Sequence, residues 1–204
     1  MTKASVSGRP VNVQTGANLK ATAMRLVREK GYDNVSIAAI TKEAGVARQT
    51  LYNRWNTKAD LVLDAVFDET ENYAAAPPLD GGQDSPVLLE KFLTNVFGHL
   101  TTDGDILRAL IAAAQQDAAF QQTFYAKFVF PREKMITNLL QLAKDRGELS
   151  THRNVDLVSG FIHGAFWYRL LNGGTLDAAF AKEITFDVFE RLSMADNKSD
   201  TTAG

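Results

Sequence analysis

The sequence predicts an all-α protein of about nine helices, with a small N-terminal head of three helices before a larger helical body. Apolar residues recur at intervals of three and four along most of the chain, which is typical of amphipathic helices. No alternating apolar run flanks a two-residue Asn-Gly or Asp-Gly turn, so strand signals are nearly absent. The 204 residues, 45% hydrophobic and 23% charged, suffice for one large or two small domains with a buried core.

Composition excludes several classes of protein. The chain has no cysteine, which rules out disulfides, thiolate zinc sites, iron–sulfur clusters and cysteine nucleophiles. It has no run of eighteen apolar residues, so we expect no membrane-spanning helix. The segment MTKASVSGRPVNVQTG lacks the apolar core of a secretory signal. We therefore expect a cytoplasmic protein.

The head begins with two helices that end at glycines. The first ends at Gly31, and its expected buried stripe comprises Leu19, Ala23, Leu26, Val27 and Lys30. The second is opened by Ser36 as N-cap and closed by Gly45. Its inner face is expected to carry Ile37, Ile40 and Ala44.

Two more helices follow closely. A short third helix spans roughly 47–54, with Val46 and Leu51 on its inner side and Trp55 just beyond. Thr57 and Asp60 resemble a capping box that opens a fourth helix over 57–75. The expected stripe of that fourth helix is Leu61, Ala65, Val66, Glu69 and Tyr73.

Charge is divided unevenly along the chain. Residues 1–60 carry ten basic and four acidic side chains, a net charge of +6. The other 144 residues carry 12 basic and 20 acidic side chains, a net charge of −8. A basic head on an acidic body favours a polyanionic partner for the head alone, and chance scatter of charge is the alternative.

The second and third helices form the most informative motif. They are separated by Ala44-Gly45-Val46, where glycine permits a left-handed turn between helices set at a steep angle. The outward side chains of the third helix can all form hydrogen bonds: Arg48, Gln49, Thr50, Tyr52 and Asn53. A recognition helix presents its N-terminal residues to base edges, and arginine pairs with guanine as glutamine does with adenine. The motif predicts a helix-turn-helix DNA-binding head, the alternative being a solvated face on a small helical domain.

The run VARQTLYNRWNTKADL, from Val46 to Leu61, resembles the signature of the tetracycline-repressor (TetR) family of transcriptional regulators. The upstream order is similar as well: Lys30-Gly31-Tyr32, Val35-Ser36-Ile37, Ile40 and Ala44-Gly45-Val46. The resemblance is strong over roughly 17–66 and looser beyond. Arg146-Gly147-Glu148-Leu149 and the aromatic-rich helix after it look like one C-terminal class of the family. Thr41 and Trp55 stand where alanine and phenylalanine are common.

The resemblance implies a set of DNA contacts. The candidates are Ser36, Thr41, Arg48, Gln49, Thr50, Tyr52, Asn53 and Lys58. Arg48, Gln49 and Thr50 would face bases, while Tyr52 and Lys58 would reach phosphates. Ser36 and Thr41 would lie near the DNA backbone on the other side, and the role of the asparagine is open. For Arg54, phosphate contact and plain exposure are both open, whereas Leu51 and Trp55 are expected in the core.

The body is separated from the fourth helix by a predicted surface loop over 77–86. Its helical segments are predicted over 86–101, 105–116, 117–146, 154–172 and 175–193, with breaks at Asp103-Gly104, Gly147 and Gly173-Gly174. Pro131 should kink or break the third of these segments. The polar ends, 1–13 and 194–204, are expected to fray. We divide the chain into a helix-turn-helix DNA-binding domain over 14–60 and an effector-binding and dimerisation domain over 61–193.

The body contains eleven of the twelve phenylalanines. Phe120, Phe124 and Phe128 share one helix face because they are four residues apart. Aromatic residues at this spacing are usually core, but a helical body so rich in them can also enclose a cavity. The resemblance implies a ligand pocket among the segments over 86–101, 105–146 and 154–172. Our candidates for binding a small apolar effector there are Phe97, His99, Phe124, Phe128, Phe161 and His163.

The last two helices are apolar on more than one face, so each is either central or covered by a partner. Gly160 and Gly164 could allow another helix to approach closely. Ordinary internal packing is one interpretation. The resemblance favours a homodimer joined through 154–172 and 175–193 as a four-helix bundle, with Ile162 and Phe186 in the seam.

No catalytic constellation is present: the chain has no HExxH, no Gly-rich phosphate loop and no Gly-x-Ser-x-Gly, and its three histidines are isolated. We therefore expect no catalytic residue, no metal site and no cofactor. The sequence predicts a ligand-responsive transcriptional regulator, with repression of a palindromic operator favoured by the family. A helical enzyme and a helix-turn-helix protein that acts only as an interaction module are the alternatives.

Overall fold

A computed structural model describes residues 9–70, 76–79 and 82–199, and this part of the chain contains helices and no strand. The helices are α1 (Arg9–Lys30), α2 (Ile37–Glu43), α3 (Arg48–Tyr52), α4 (Lys58–Thr70), α5 (Ser85–Gln116), α6 (Ala118–Phe124), α7 (Phe130–Asp145), α8 (Val155–Leu171) and α9 (Ala178–Ser199). A π-helical turn, Tyr125–Val129, joins α6 to α7. The predicted all-α fold class is confirmed, with α1–α3 as the head and α5–α9 as the body. No helix in the described ranges is long and apolar enough to cross a membrane.

The head folds as its capping residues predict. Gly31 and Gly45 have φ of 81° and 68°, the left-handed conformation that ends α1 and turns the chain after α2. Ser36 caps α2 by accepting a hydrogen bond from Ala39 N at 3.1 Å. The buried stripe of α1 contains Leu19, Ala23, Leu26 and Val27, but Lys30 is exposed and was wrongly included.

The predicted capping box at the start of α4 is confirmed. Thr57 N donates to Asp60 Oδ2 and Asp60 N donates to Thr57 Oγ1, both at 3.0 Å. These bonds satisfy two amides that the helix itself leaves unpaired. Leu61, Ala65 and Val66 of α4 are buried against the head and body, while Tyr73, the last residue of the predicted stripe, lies outside the described residues.

The break predicted at Asp103-Gly104 is wrong, because α5 runs unbroken from Ser85 to Gln116. Gly104 is buried inside this helix, and a Cβ placed on it would lie 3.3 Å from Leu170 Cδ1 of α8. The glycine therefore allows α5 and α8 to pack closely and does not end a helix.

Pro131 does interrupt the regular helix, as predicted. It lies at the first turn of α7, immediately after the π turn, where Phe130 N donates to Tyr125 O, five residues earlier. Proline has no amide hydrogen to donate, so the local widening accommodates it without ending the helical path.

The core of the body is built by α5, α7, α8 and α9. Phe97 of α5 is fully buried and stacks on Phe180 of α9, with ring centroids 5.8 Å apart. It also lies 5.9 Å from the ring of Phe166 of α8. The helix α8 is apolar on two faces: Val158, Ile162, Phe166 and Leu170 are buried in the body, whereas Leu157, Phe161, Tyr168 and Leu171 are exposed.

The first and last helices extend further toward the ends of the chain than the sequence predicts. Residues 9–13 belong to α1 and residues 194–199 belong to α9. Residues 1–8 and 200–204, also predicted to fray, lie outside the described residues, as do 80–81 of the predicted loop.

Candidate DNA-binding head and effector-binding body

The recognition helix α3 presents polar side chains on its outer face. Arg48, Gln49, Tyr52 and Asn53 are exposed, Thr50 is half-buried, and Leu51 is fully buried as the anchor of the helix. Gln49 Nε2 donates to Asn53 Oδ1 at 3.0 Å, which holds the glutamine side chain along the helix. Asn53, whose role the sequence leaves open, is thus the hydrogen-bond acceptor of Gln49.

Lys58 lies at the start of α4 and is bonded within the head. Its ammonium donates to Tyr32 O at 2.7 Å and Val35 O at 3.0 Å, and it lies 3.9 Å from the centroid of the Tyr32 ring. Burial lowers the pKa of Lys58, opposed by the charge of Asp33. Burial is also the main cause that raises the pKa of Tyr32 to about 12. Lys58 therefore fixes the segment between α1 and α2 and has one N–H left for a phosphate.

Ser36 and Thr41 are placed differently. Ser36 is exposed at the N-terminus of α2, where its hydroxyl caps the helix. Thr41 is buried, and its hydroxyl donates to Ile37 O at 3.0 Å within the same helix. The side chain of Thr41 is not available to a DNA backbone in this conformation.

Arg54 has a structural neighbour that sequence patterns did not reveal. A Cβ placed on Gly16 of α1 would lie 2.8 Å from Arg54 Nη1, so the guanidinium lies against the backbone of α1. Asn18 Nδ2 also reaches across from α1 and donates to Ala44 O at 3.2 Å. These contacts join α1 to the helix-turn-helix, and a larger residue at position 16 would require the guanidinium of Arg54 to shift.

Two clusters of charged side chains join the head to the body. Trp55 Nε1 donates to Asp64 Oδ2 at 2.8 Å, and Lys127 Nζ of the π turn donates to Asp64 Oδ1 at 2.9 Å. Arg28 of α1 donates to Glu69 of α4, and its Nε donates to Asp103 of α5 at 2.9 Å. Both carboxylates raise the pKa of Arg28, with the hydrogen bond to Asp103 the largest cause. α4 is therefore held at two points between head and body.

The predicted effector-binding side chains do not meet in one place. Phe97 belongs to the core between α5, α8 and α9, as described above. Phe124 and Phe128 stack with centroids 5.2 Å apart near the π turn. Phe161 is exposed, His99 is half-buried on α5, and His163 is half-buried on α8.

A half-buried arginine packs against the phenylalanine pair. The guanidinium of Arg132 lies 3.7 Å from the ring centroid of Phe128, and Arg132 Nη1 donates to Phe128 O at 2.9 Å. Burial lowers the pKa of Arg132 to about 10. The stacked pair and the arginine together stabilise the π turn that carries Lys127.

The turn after α7 forms hydrogen bonds with the segment that leads into α5. Arg146 Nη1 donates to Gln83 O at 2.7 Å, and Glu148 Oε2 accepts from Ser85 N at 2.9 Å. Gly147 between them has φ of 73°. Arg146 and Glu148 of the Arg-Gly-Glu-Leu motif therefore connect the end of α7 to the start of α5 by hydrogen bonds.

A basic three-helix head with an exposed polar recognition helix, joined through α4 to a larger helical body, defines a helix-turn-helix DNA-binding regulator. Comparisons with known proteins agree. The model "Bacterial regulatory proteins, tetR family" matches residues 19–65, and "Tetracyclin repressor-like, C-terminal domain" matches residues 89–188. The chain belongs to the TetR family of transcriptional regulators.

Individual relatives extend the likeness over most of the chain. The HTH-type transcriptional regulator Rv1556 of Mycobacterium tuberculosis is 32% identical over 153 residues, covering 74% of this chain and 73% of that protein. YdeS of Bacillus subtilis is 27% identical over 188 residues, covering 91% and 93%. The solved TetR-family regulator SCO0332 superposes with a TM-score of 0.70 at 26% identity, covering 87% and 97%. FadR of Bacillus subtilis in complex with stearoyl-CoA has a TM-score of 0.70 at 15% identity over 85% and 97% of the chains, which shows the fold alone.

Proposed function

We propose that this regulator is a homodimeric repressor that leaves a palindromic operator when a small, largely apolar effector binds its body. The observation that carries the proposal is the exposed face of α3, where Arg48 and Gln49 stand on a head of net charge +6. These side chains can read base edges, while the surrounding positive charge supplies sequence-independent attraction to phosphates. A TetR-family regulator of this kind acts where bacterial DNA lies, in the cytoplasm.

The dimer is supported by the outer face of α8. Leu157, Phe161, Tyr168 and Leu171 are 56%, 65%, 71% and 50% exposed and follow one another along that face. Phe186 of α9 is 50% exposed as well. Apolar surface of this extent marks a site of association. A two-fold dimer through α8 and α9 would place two recognition helices on one duplex, with half-sites about 34–36 Å apart or a somewhat longer span.

Release of DNA is proposed to act through α4. This helix is bonded to the head through Trp55 and Arg28, and to the body through Lys127. Arg28 is itself bonded to Asp103 of α5 in the body. An effector that moves the π turn or α5 changes where α4 lies, and therefore the separation of the two heads. A coupling of about 1–3 kcal/mol would weaken operator binding roughly 5–150-fold, and by linkage the operator would weaken effector binding equally.

The effector is proposed to be mainly apolar because the body is acidic and rich in buried aromatic residues. Fold neighbours that hold stearoyl-CoA and lauroyl-CoA support the idea that such a body accommodates an apolar chain. The sequence matches regulators rather than enzymes, which supports a sensing role for the body.

The test is selection of duplexes from a random pool, followed by titration of the selected site. We expect an inverted repeat, and a salt-dependent affinity well above that for random DNA. Arg48→Ala should cost about 1–3 kcal/mol on the selected site and relax preference at particular base pairs. Arg25→Ala is the matched control, since Arg25 is an exposed head arginine already paired with Glu29 and Glu43. Equal loss on selected and random DNA for Arg48→Ala would contradict base reading.

A further inference from the structure

A groove of about 360 Å³ lies between α7 and α8, and none of the phenylalanines singled out in the sequence is among its lining residues. It is lined by Val129, Glu133, Gly160, His163, Gly164 and Trp167. A Cβ placed on Gly160 or Gly164 would meet no atom within 4 Å. The two glycines therefore leave open space beside an indole ring. A groove of this size falls at the lower end of the range for small-ligand sites, about 300–1,000 Å³.

His163 contributes a hydrogen-bond acceptor to this groove. Its Nδ1 lies 2.8 Å from Ser159 O, and because a carbonyl can only accept, this contact is a hydrogen bond when Nδ1 carries the hydrogen. The neutral ring then has its lone pair on Nε2. Burial lowers the pKa of His163 and so favours the neutral ring, although the Ser159 carbonyl and the Glu133 charge oppose this shift. Its contact with the Phe166 ring, at 5.5 Å between centroids, holds the imidazole in place.

Glu133 contributes a second acceptor, and this one is charged. It is half-buried on α7, and within the described ranges no lysine, arginine or histidine forms an ion pair with its carboxylate. No lysine or arginine is among the lining residues of the groove, and His163 is its one histidine. Trp167 adds an aromatic face, whose electron-rich surface attracts cations. The groove therefore combines a carboxylate, an imidazole and an indole with an otherwise apolar lining. This combination is complementary to an apolar ligand that carries a positive charge.

We propose that the groove between α7 and α8 binds the effector through a protonated or quaternary nitrogen, which lies near Glu133 and Trp167. The apolar part of such a ligand would fill the space beside Val129, Gly160 and Gly164. This inference rests on the proposed effector-responsive function and specifies the charge of the effector. An anionic or neutral apolar compound lacks the group that Glu133 would neutralise. Gly160 and Gly164 lie on the same exposed face of α8 as Phe161, which the proposed dimer uses, so a partner subunit is the competing occupant.

The test uses four probes below their micelle-forming concentrations: decyltrimethylammonium, decanol, decanoate and lauroyl-CoA. Isothermal titration of the full-length protein should give decyltrimethylammonium an affinity about tenfold or more above that of decanol. Decanoate and lauroyl-CoA should bind more weakly than decanol. Glu133→Gln should remove the preference for the cation while leaving decanol affinity unchanged, which shows that the groove is intact. Glu90→Gln, which removes a carboxylate from α5 outside the groove, should retain the preference.

Three results would overturn the inference. One is equal or reversed affinity for the cationic, neutral and anionic decyl compounds. Another is a cation preference that survives Glu133→Gln, because binding would then lie elsewhere. The third is binding that appears only in a monomeric variant such as Phe161→Glu, since a partner subunit would then cover the groove. Operator binding by the ligand-free protein is measured separately, and its loss would count against the proposed function instead.

Discussion

The indole N–H of Trp55 donates to the Asp64 carboxylate at 2.8 Å, so the residue that follows the recognition helix is bonded directly to α4. The second oxygen of the same carboxylate accepts from Lys127 Nζ in the π turn of the body. A phenylalanine, which is common at this position in the TetR family, has no N–H to donate to Asp64. Trp55 is thus both a core residue of the head and, through Asp64, part of the hydrogen-bonded connection between the head and the body.

Trp55→Phe is expected to lower the free energy of unfolding by about 1–3 kcal/mol, since it removes a hydrogen bond to a charged acceptor in a partly buried site. Urea denaturation measures this change. In an Asp64→Asn background the cost of Trp55→Phe should be smaller, because the charged acceptor is already absent. Strictly additive effects in this double-mutant cycle would show that the two side chains are not coupled.

Arg28→Met should lower the melting temperature, because it leaves Glu69 and Asp103 without the cation they share between α1, α4 and α5. The side chain of Asp103 is only 18% exposed, although Arg28 itself is 36% exposed, and solvent screening keeps the expected cost to about 1–2 kcal/mol. Arg25→Met is the control, since Arg25 also contacts two carboxylates but is exposed and lies wholly within the head. A similar loss for both variants would contradict a special role for the link to the body.

Lys58→Met should weaken binding to all duplexes and reduce the salt dependence by about one released counterion. The structure adds that it should also lower stability by about 1–2 kcal/mol, because Tyr32 O and Val35 O lose their donor. Filter-binding titrations at several salt concentrations, with thermal unfolding in parallel, separate the two effects. Loss of affinity for the selected operator alone would show that Lys58 reads sequence rather than phosphate.

Phe161→Glu should convert the dimer into a stable monomer in light scattering, because a charge would interrupt the exposed apolar face of α8. Ile162, expected from the sequence in the seam, is instead 1% exposed in the core of the body, so Ile162→Glu should unfold the subunit. Tyr125→Glu is the control: Tyr125 is also an exposed aromatic residue but lies on the π turn, and this variant should remain dimeric. A dimeric Phe161→Glu protein would place the interface elsewhere.

His163 should make stability depend on pH. Burial lowers the pKa of its imidazole below the ordinary 6.5, so the unfolded chain takes up this proton first as the pH falls. The free energy of unfolding should therefore decrease as the pH falls from about 6.5 to the lower folded-state pKa, and the contribution of this residue is constant above that window. His163→Gln should remove this component, measured as the difference between the two unfolding curves from pH 5 to 8. Parallel curves would contradict it.

Local signals in the sequence predicted most of the head correctly. Ser36, Gly45 and the Thr57–Asp60 pair act within one or two turns of themselves, so their capping roles can be read without the rest of the fold. Gly104 misled the prediction, since a glycine that ends a helix and one that admits Leu170 look the same in the sequence. The roles of Arg54 and Asp64 were not visible either, because their partners at positions 16 and 127 are distant along the chain.

The sequence by itself determined the all-α class, the helix-turn-helix and its outward polar residues, since periodicity and capping are properties of neighbouring residues. It also showed that α8 has two apolar faces. Only the tertiary structure decided which face is exposed, and that Phe97 is packed in the core while Phe161 lies outside. The groove beside His163 likewise exists only once α7 and α8 are packed together, because burial and cavities depend on contacts between elements that no local pattern specifies.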